Sequence, residues 1–75
     1  MQPYKNLSGT SGVVAFEAGD DHINIEFEGK QRYRYDYTIP GKKEVETMKS
    51  LAKRSKGLAT FISKNVRERF AAKLP

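Results

Sequence analysis

The chain has no cysteine, no tryptophan, a single histidine and no apolar run longer than "VVAF", residues 13 to 16. Each shortage removes a class of protein. Without cysteine there is no disulfide and no thiolate metal site, which suits a reducing compartment. A four-residue apolar run falls far short of the ~20 residues that cross a bilayer as a helix. The opening "MQPYKNLSGTSG" lacks the apolar core of a signal peptide. The expectation is a soluble, cytoplasmic protein with no membrane partner.

The lone histidine, His22, sits beside Asp20 and Asp21 with no clustered nucleophile. "GDDH" offers too few oxygens for calcium and has no EF-hand spacing, so it reads as a turn. No P-loop, G-x-G-x-x-G or H-E-x-x-H occurs, and Ser8, Ser11, Ser50, Ser55 and Ser63 lack a nucleophile-elbow context. Glu26 and Glu28 share a strand face but are expected to pair with arginines, which keeps carboxylates ionised and makes them poor general acids. The chain is therefore expected to be no enzyme and to need no metal or cofactor.

What is present is charge and aromatic rings. The 75 residues carry 14 Lys/Arg against 9 Asp/Glu, a formal charge of +5. Residues 1–37 hold four basic and six acidic side chains, net −2; residues 38–75 hold ten and three, net +7. A positive field concentrated in one half attracts polyanions over about one Debye length, roughly 8 Å in physiological salt. The chain is long enough for one domain, burying roughly 60% of its unfolded surface.

Residues 1–10 read as a loose N-terminal arm or a short leading strand, and residues 11–75 as a single domain. "GVVAF" (12–16), "HINIEF" (22–27) and "QRYRYDY" (31–37) read as three strands. Alternation places Ile23, Ile25 and Phe27 on one face, and Tyr33, Tyr35 and Tyr37 on one face of the third strand. A three-residue loop, Gly29 to Gln31, would set Phe27 opposite Tyr33, Ile25 opposite Tyr35 and Ile23 opposite Tyr37. On the other face Glu28 would meet Arg32 and Glu26 would meet Arg34. A four-residue first turn would set Phe16 opposite Ile23 and Val14 opposite Ile25. The core face then holds Val14, Phe16, Ile23, Ile25, Phe27 and the three tyrosines.

"IPGKKEVETMKSLAKRSKG" reads as a helix, with Pro40 in its first turn, Glu44 and Glu46 early, Lys53 and Arg54 late, and Gly57 as a stop. "LATFISKNVRERFAAKL" reads as a second, with an apolar stripe of Leu58, Phe61, Ile62, Val66, Phe70 and Leu74. The fold expected is α+β: a three-stranded antiparallel meander followed by two helices packed on one face of the sheet. Helices over the tyrosine face would make those rings core and not a base-stacking platform, with hydroxyls reaching the rim.

Lys53, Arg54, Lys56, Lys64, Arg67, Arg69 and Lys73 lie in and between the helices. Such residues bind phosphate with little sequence preference. No homeodomain, zinc-finger or RNP1 pattern accompanies them.

The chain resembles the KTSC domain, a small module named for its occurrence at the C-terminus of some lysyl-tRNA synthetases and also found as a stand-alone bacterial or phage protein. Tyr33-Arg34-Tyr35 is similar to the family's Y-x-Y. "FISKNVRERF", residues 61–70, is similar to its second-helix pattern F-I-x-K-N-I-R-x-x-Y, and Ser55-Lys56-Gly57 to the Ser-x-Gly before it. The early apolar positions fall on Val14 and Phe16. The likeness covers about residues 7–70. It departs at "LAT", an expansion after Gly57, at Ser11, where the family is aliphatic, and at Phe70, where the family has Tyr. The resemblance implies a three-stranded sheet with helices and no established activity; the synthetase context suggests RNA. Asn65 and Arg67 are the positions where family pattern and basic patch coincide.

The expectation is a small non-enzymatic nucleic-acid-binding module, RNA before DNA. Lys56, Lys64, Arg67 and Arg69 lead the set, with Asn65 beside them, Lys53 and Arg54 at the margin, and Arg32 and Arg34 second-rank. The alternative is a protein-interaction module, such as a phage or mobile-element accessory protein docking on a host protein. For that, the place to look is the sheet face bearing Val13, Ala15, His22, Asn24, Arg32 and Arg34.

Overall fold

The computed structural model describes residues 2–4, 12–66 and 69–74. The protein is α+β, with an antiparallel sheet and two helices, but the sheet has five strands and not three. They run in sequence order: β1 (Gln2–Pro3), β2 (Val13–Ala18), β3 (His22–Phe27), β4 (Gln31–Asp36) and β5 (Ala72–Leu74). The helices are α1 (Lys42–Arg54) and α2 (Leu58–Phe61), the latter widening into a π-helical turn over Ile62–Val66.

The two extra strands lie at the edges. Gln2 pairs with Phe16 and Pro3 with Ala15. Of the two readings of the N-terminus, strand holds for these two residues and Tyr4 follows them into the core; residues 1 and 5–10 lie outside the described residues. At the far edge Leu74, Lys73 and Ala72 pair with Arg32, Tyr33 and Arg34. The second helix is described as far as Val66, and residues 69–74 are not part of it, so it does not reach Leu74 as expected. Phe70 and Leu74 satisfy a helical period, but a short apolar pattern does not distinguish helix from strand. Pairing residues 72–74 with β4 satisfies an edge that a longer helix would leave open.

Both inner registers differ from expectation by two residues. Ile23 faces Tyr35, Ile25 faces Tyr33, Glu26 faces Arg32 and Phe27 faces Gln31. The loop is Glu28–Lys30, and its left-handed positions are Gly29 (φ 83°) and Lys30 (φ 63°). This puts glycine where the chain needs positive φ, which a loop beginning at Gly29 would not. On β2, Phe16 faces Ile25 and Ala18 faces Ile23. Gly19 N–H reaches His22 C=O at 2.9 Å, so the turn closes over Asp20–Asp21. An even slip preserves which face each side chain occupies.

Val14 is the exception. Val13 pairs with Phe27 and Ala15 with Glu26, so Val14 is an extra residue in a bulge. The alternation slips across it. Val13 turns inward (3% exposed) and Val14 outward (44%), the reverse of the expected order.

Helix α1 begins after Pro40, not with it: Gly41 (φ 120°) is its N-cap residue. The Asp36 carboxylate accepts from Thr38 N–H at 2.9 Å and Ile39 N–H at 3.0 Å, turning the chain off β4. Helix α1 stops at Arg54, short of Gly57. Ser55 is left-handed (φ 57°), its N–H bonds Ala52 C=O, and Lys56 N–H bonds Leu51 C=O. This is a Schellman closure with serine in the usual glycine position. Gly57 (φ 83°) then opens α2. The stretch Ser55-Lys56-Gly57 is thus a corner with left-handed residues at both ends.

One core results. Val13, Phe16, Ile23, Ile25 and Tyr35 from the sheet meet Val45, Met48, Ala52, Leu58, Ile62 and Val66 from the helical half. Tyr4 joins them, edge-on to Phe16 with centroids 6.5 Å apart. Its hydroxyl accepts from Leu58 N–H at 3.3 Å, where Gly57 has no side chain to cap α2. No described helix is long and apolar enough to cross a membrane.

Candidate nucleic-acid interface

The expected site residues fall in three places. Lys53 and Arg54 occupy the last turn of α1, and Lys56 the corner that follows; all three are exposed. Lys64 and Asn65 are exposed on the π turn. Arg32 and Arg34 lie on the sheet face away from the core. Arg67 lies outside the described residues.

Their partners divide them further. Arg32 Nε meets Glu26 Oε1 at 3.4 Å, and Arg34 Nε meets Asp36 Oδ2 at 3.4 Å. The expected Glu26–Arg34 pair is absent because the two-residue slip places Arg34 opposite Asn24. Arg69 acts as a staple: Nη2 donates to Pro40 C=O at 3.1 Å, Nη1 to Asn65 C=O at 3.4 Å, and Glu44 lies 3.6 Å away. It ties the end of the π turn to the start of α1, walling a cavity of about 260 Å³ with Lys43, Glu44, Thr47, Phe61 and Asn65. Asn65 Nδ2 donates back to Phe61 C=O at 3.1 Å, a local bond within its own turn.

Lys53, Arg54, Lys56 and Lys64 differ: among the described residues none has an ion-pair partner. Lys49, one turn earlier on α1, is committed to Glu46 at 2.9 Å and to Asp20 C=O at 3.2 Å. These four lie at the C-terminal end of α1, the corner and the π turn, while Lys30, Lys42, Lys43 and Lys73, also exposed and without an ion pair among the described residues, lie elsewhere on the fold.

The tyrosines serve the core and its rim. Tyr35 is 1% exposed, and burial pushes its phenol up to about 12. Tyr37, just past β4, donates its one hydroxyl proton to Glu46 at 2.6 Å, with the Asp20 C=O at 3.0 Å as the second acceptor in reach. The hydrogen bond to Glu46 is the main reason its phenol is raised to about 12; the same bond, then Lys49, holds Glu46 below the usual carboxylate range. The backbone N–H of Ile39 is the largest influence holding Asp36 low.

Tyr33 has a different setting that sequence reasoning missed. A groove of about 740 Å³ is lined by Phe27, Gln31, Tyr33, Tyr35, Ile62, Phe70 and Lys73. Phe70 packs at 4.6 Å from Tyr33, centroid to centroid, and Lys73 Nζ stands 5.9 Å from the Tyr33 ring. Only the strand β5 brings Lys73 there, and three residues are too few to show a period of two. Among the described residues, no group of three or more His, Cys, Asp or Glu is placed to hold a metal ion.

No family model, curated protein or solved structure matches the chain.

Proposed function

We propose that the protein is a non-enzymatic RNA-binding module whose helical half contacts phosphates through Lys53, Arg54, Lys56 and Lys64. The carrying observation is that these four are exposed and have no ion-pair partner among the described residues, whereas Arg32, Arg34 and Arg69 are engaged internally. A cation already paired must give up that partner to bind phosphate; a free one loses only hydration and rotamer freedom. The resemblance to the KTSC domain, with its synthetase context, supports RNA over DNA and is part of this proposal. The protein-docking alternative calls for a contiguous apolar patch. The large apolar side chains most exposed among the described residues are Val14 (44%) and Ile39 (42%), on separate elements, which favours the nucleic-acid reading.

The test is fluorescence anisotropy of labelled single-stranded RNA, duplex RNA and duplex DNA at about 50 and 200 mM salt. Four phosphate contacts weaken affinity by about 50- to 150-fold over that range. Lys53→Gln, Arg54→Gln and Lys56→Gln together lower the salt slope by about two to three. Absence of binding to every probe at the lower salt refutes the proposal.

A further inference from the structure

We infer that the groove between β3, β4, β5 and the π turn receives an unstacked nucleobase, making single-stranded RNA the substrate class. This rests on the nucleic-acid reading above and adds to it a site and a form of RNA. Three rings in the groove, Phe27, Tyr33 and Phe70, are only partly buried, although each packs against the core cluster. Phe27 and Tyr33 meet edge-on at 5.8 Å, and Tyr33 and Phe70 are tilted by 50° at 4.6 Å. These rings do not stack flat on one another, and their partial exposure along the groove leaves ring surface for a further flat group.

The charge around the rings decides what that group is. Among the described residues no acidic side chain lines the groove, and Lys73 is the one charged lining residue. The Gln31 carbonyl oxygen accepts from the Tyr33 hydroxyl at 3.2 Å, which orients the amide so that its NH₂ is available to a base edge. A π surface, an amide donor and an ammonium group match a base with its phosphate one backbone step away. Ile62 of the groove wall belongs to the same π turn as Lys64. The volume is within the range of small-molecule sites and admits a base, not a duplex. A duplex keeps its bases stacked inside, so only a single strand uses the groove.

The experiment uses the full chain and a ribo-oligonucleotide of about twelve residues with a central 2-aminopurine and a terminal dye. The same sequence as single-stranded DNA and as duplex RNA supplies the other arms. Anisotropy reads total binding and 2-aminopurine emission reads stacking on protein rings. The expected result is quenched emission on binding and a preference of about tenfold or more for single strands over duplex. Phe70→Leu, which keeps apolar bulk but removes the ring, weakens single-strand binding about 5- to 50-fold and leaves duplex binding alone. Lys73→Gln, at an exposed position, guards against a folding artefact: it lowers the single-strand salt slope by about 0.7. Preference for the ribo arm over the deoxyribo arm supports RNA; equal or stronger binding of the deoxyribo arm overturns that part. Binding of all arms with unquenched emission and no effect of either variant overturns the groove but not the cationic surface. No binding in any arm overturns both.

Discussion

The Tyr4 hydroxyl gives the sharpest test of how the N-terminus joins the fold. Tyr4 is 6% exposed, its N–H bonds Val14 C=O at 2.9 Å, and its hydroxyl caps Leu58 N–H. Replacing Tyr4 with Phe keeps the ring and its edge contact with Phe16 but removes the acceptor. Leu58 is fully buried, so its N–H is left without a protein partner and out of reach of water. An unsatisfied buried donor costs about 1–3 kcal/mol. The 3.3 Å separation is long for such a bond, so the loss belongs at the lower end, about 1–1.5 kcal/mol. For 75 residues the whole stability is about 4–11 kcal/mol, so that is a substantial fraction. Urea unfolding followed by circular dichroism reads it. With a slope of about 1 kcal/mol/M for so small a chain, the midpoint falls by about 1–1.5 M with the slope unchanged. Tyr4→Ala loses the ring as well and falls further, by about 3 kcal/mol or more in total. If Tyr4→Phe melts within about 0.3 M of the parent, the hydroxyl does not cap α2 and the reasoning fails.

Ser55→Gly removes a Cβ from a left-handed position and is expected to stabilise by about 0.5–1 kcal/mol, after allowance for the greater freedom of glycine in the unfolded chain. A thermal melt then rises by about 2–6 °C, and an unchanged or lower midpoint refutes the strain. The phenol of Tyr37, raised to about 12 by its bond to Glu46, contributes stability that is present below its unfolded value near 10 and is lost as pH rises through about 12. Tyr35 also ionises late, so ultraviolet titration of Tyr37→Phe loses one of two late steps, about half the late amplitude, and its stability varies less between pH 10 and 12; an identical profile refutes the assignment.

Parity explains how much of this was legible in the sequence. The period of two assigned Ile23, Ile25, Tyr33 and Tyr35 to the core side, and a register slip of two residues leaves that assignment intact. Register itself depends on which loop residues take positive φ: a loop from Gly29 to Gln31 puts glycine first, whereas the left-handed residues are the middle and last of Glu28–Lys30. The bulge at Val14 leaves no composition signal, because Val13 and Val14 are identical residues. Helix α1 was visible from its period and end charges, while its N-terminal limit was set by the Asp36 turn, whose hydrogen bonds have no periodic signature. Residues 69–74 were lost because a strand of three residues is defined by its partner, not by its own pattern. Of the site, the sequence showed which residues are basic but not which are already paired.

That last distinction changes what net charge means here. The second half carries +7, yet Lys49 faces Glu46 and Arg69 faces Glu44. On the sheet, Glu26 and Asp36 take up Arg32 and Arg34. The acidic residues thus quiet the cations nearest them and leave, among others, those at the end of α1. Lys53 and Arg54 there also oppose the partial negative charge of the helix terminus, which stabilises the fold by about 0.3–1 kcal/mol. The structural and the binding roles are compatible, because interaction with the helix end is diffuse and does not require the side chain to keep one geometry. A phosphate can approach the same groups without displacing a partner. The groove supplies what charge cannot: a reason for one form of nucleic acid to be preferred over another. Affinity from Lys53, Arg54, Lys56 and Lys64 and selectivity from Phe27, Tyr33 and Phe70 would then be separable functions of two surfaces. Variants at one surface should change salt dependence without changing strand preference, and variants at the rings should do the reverse.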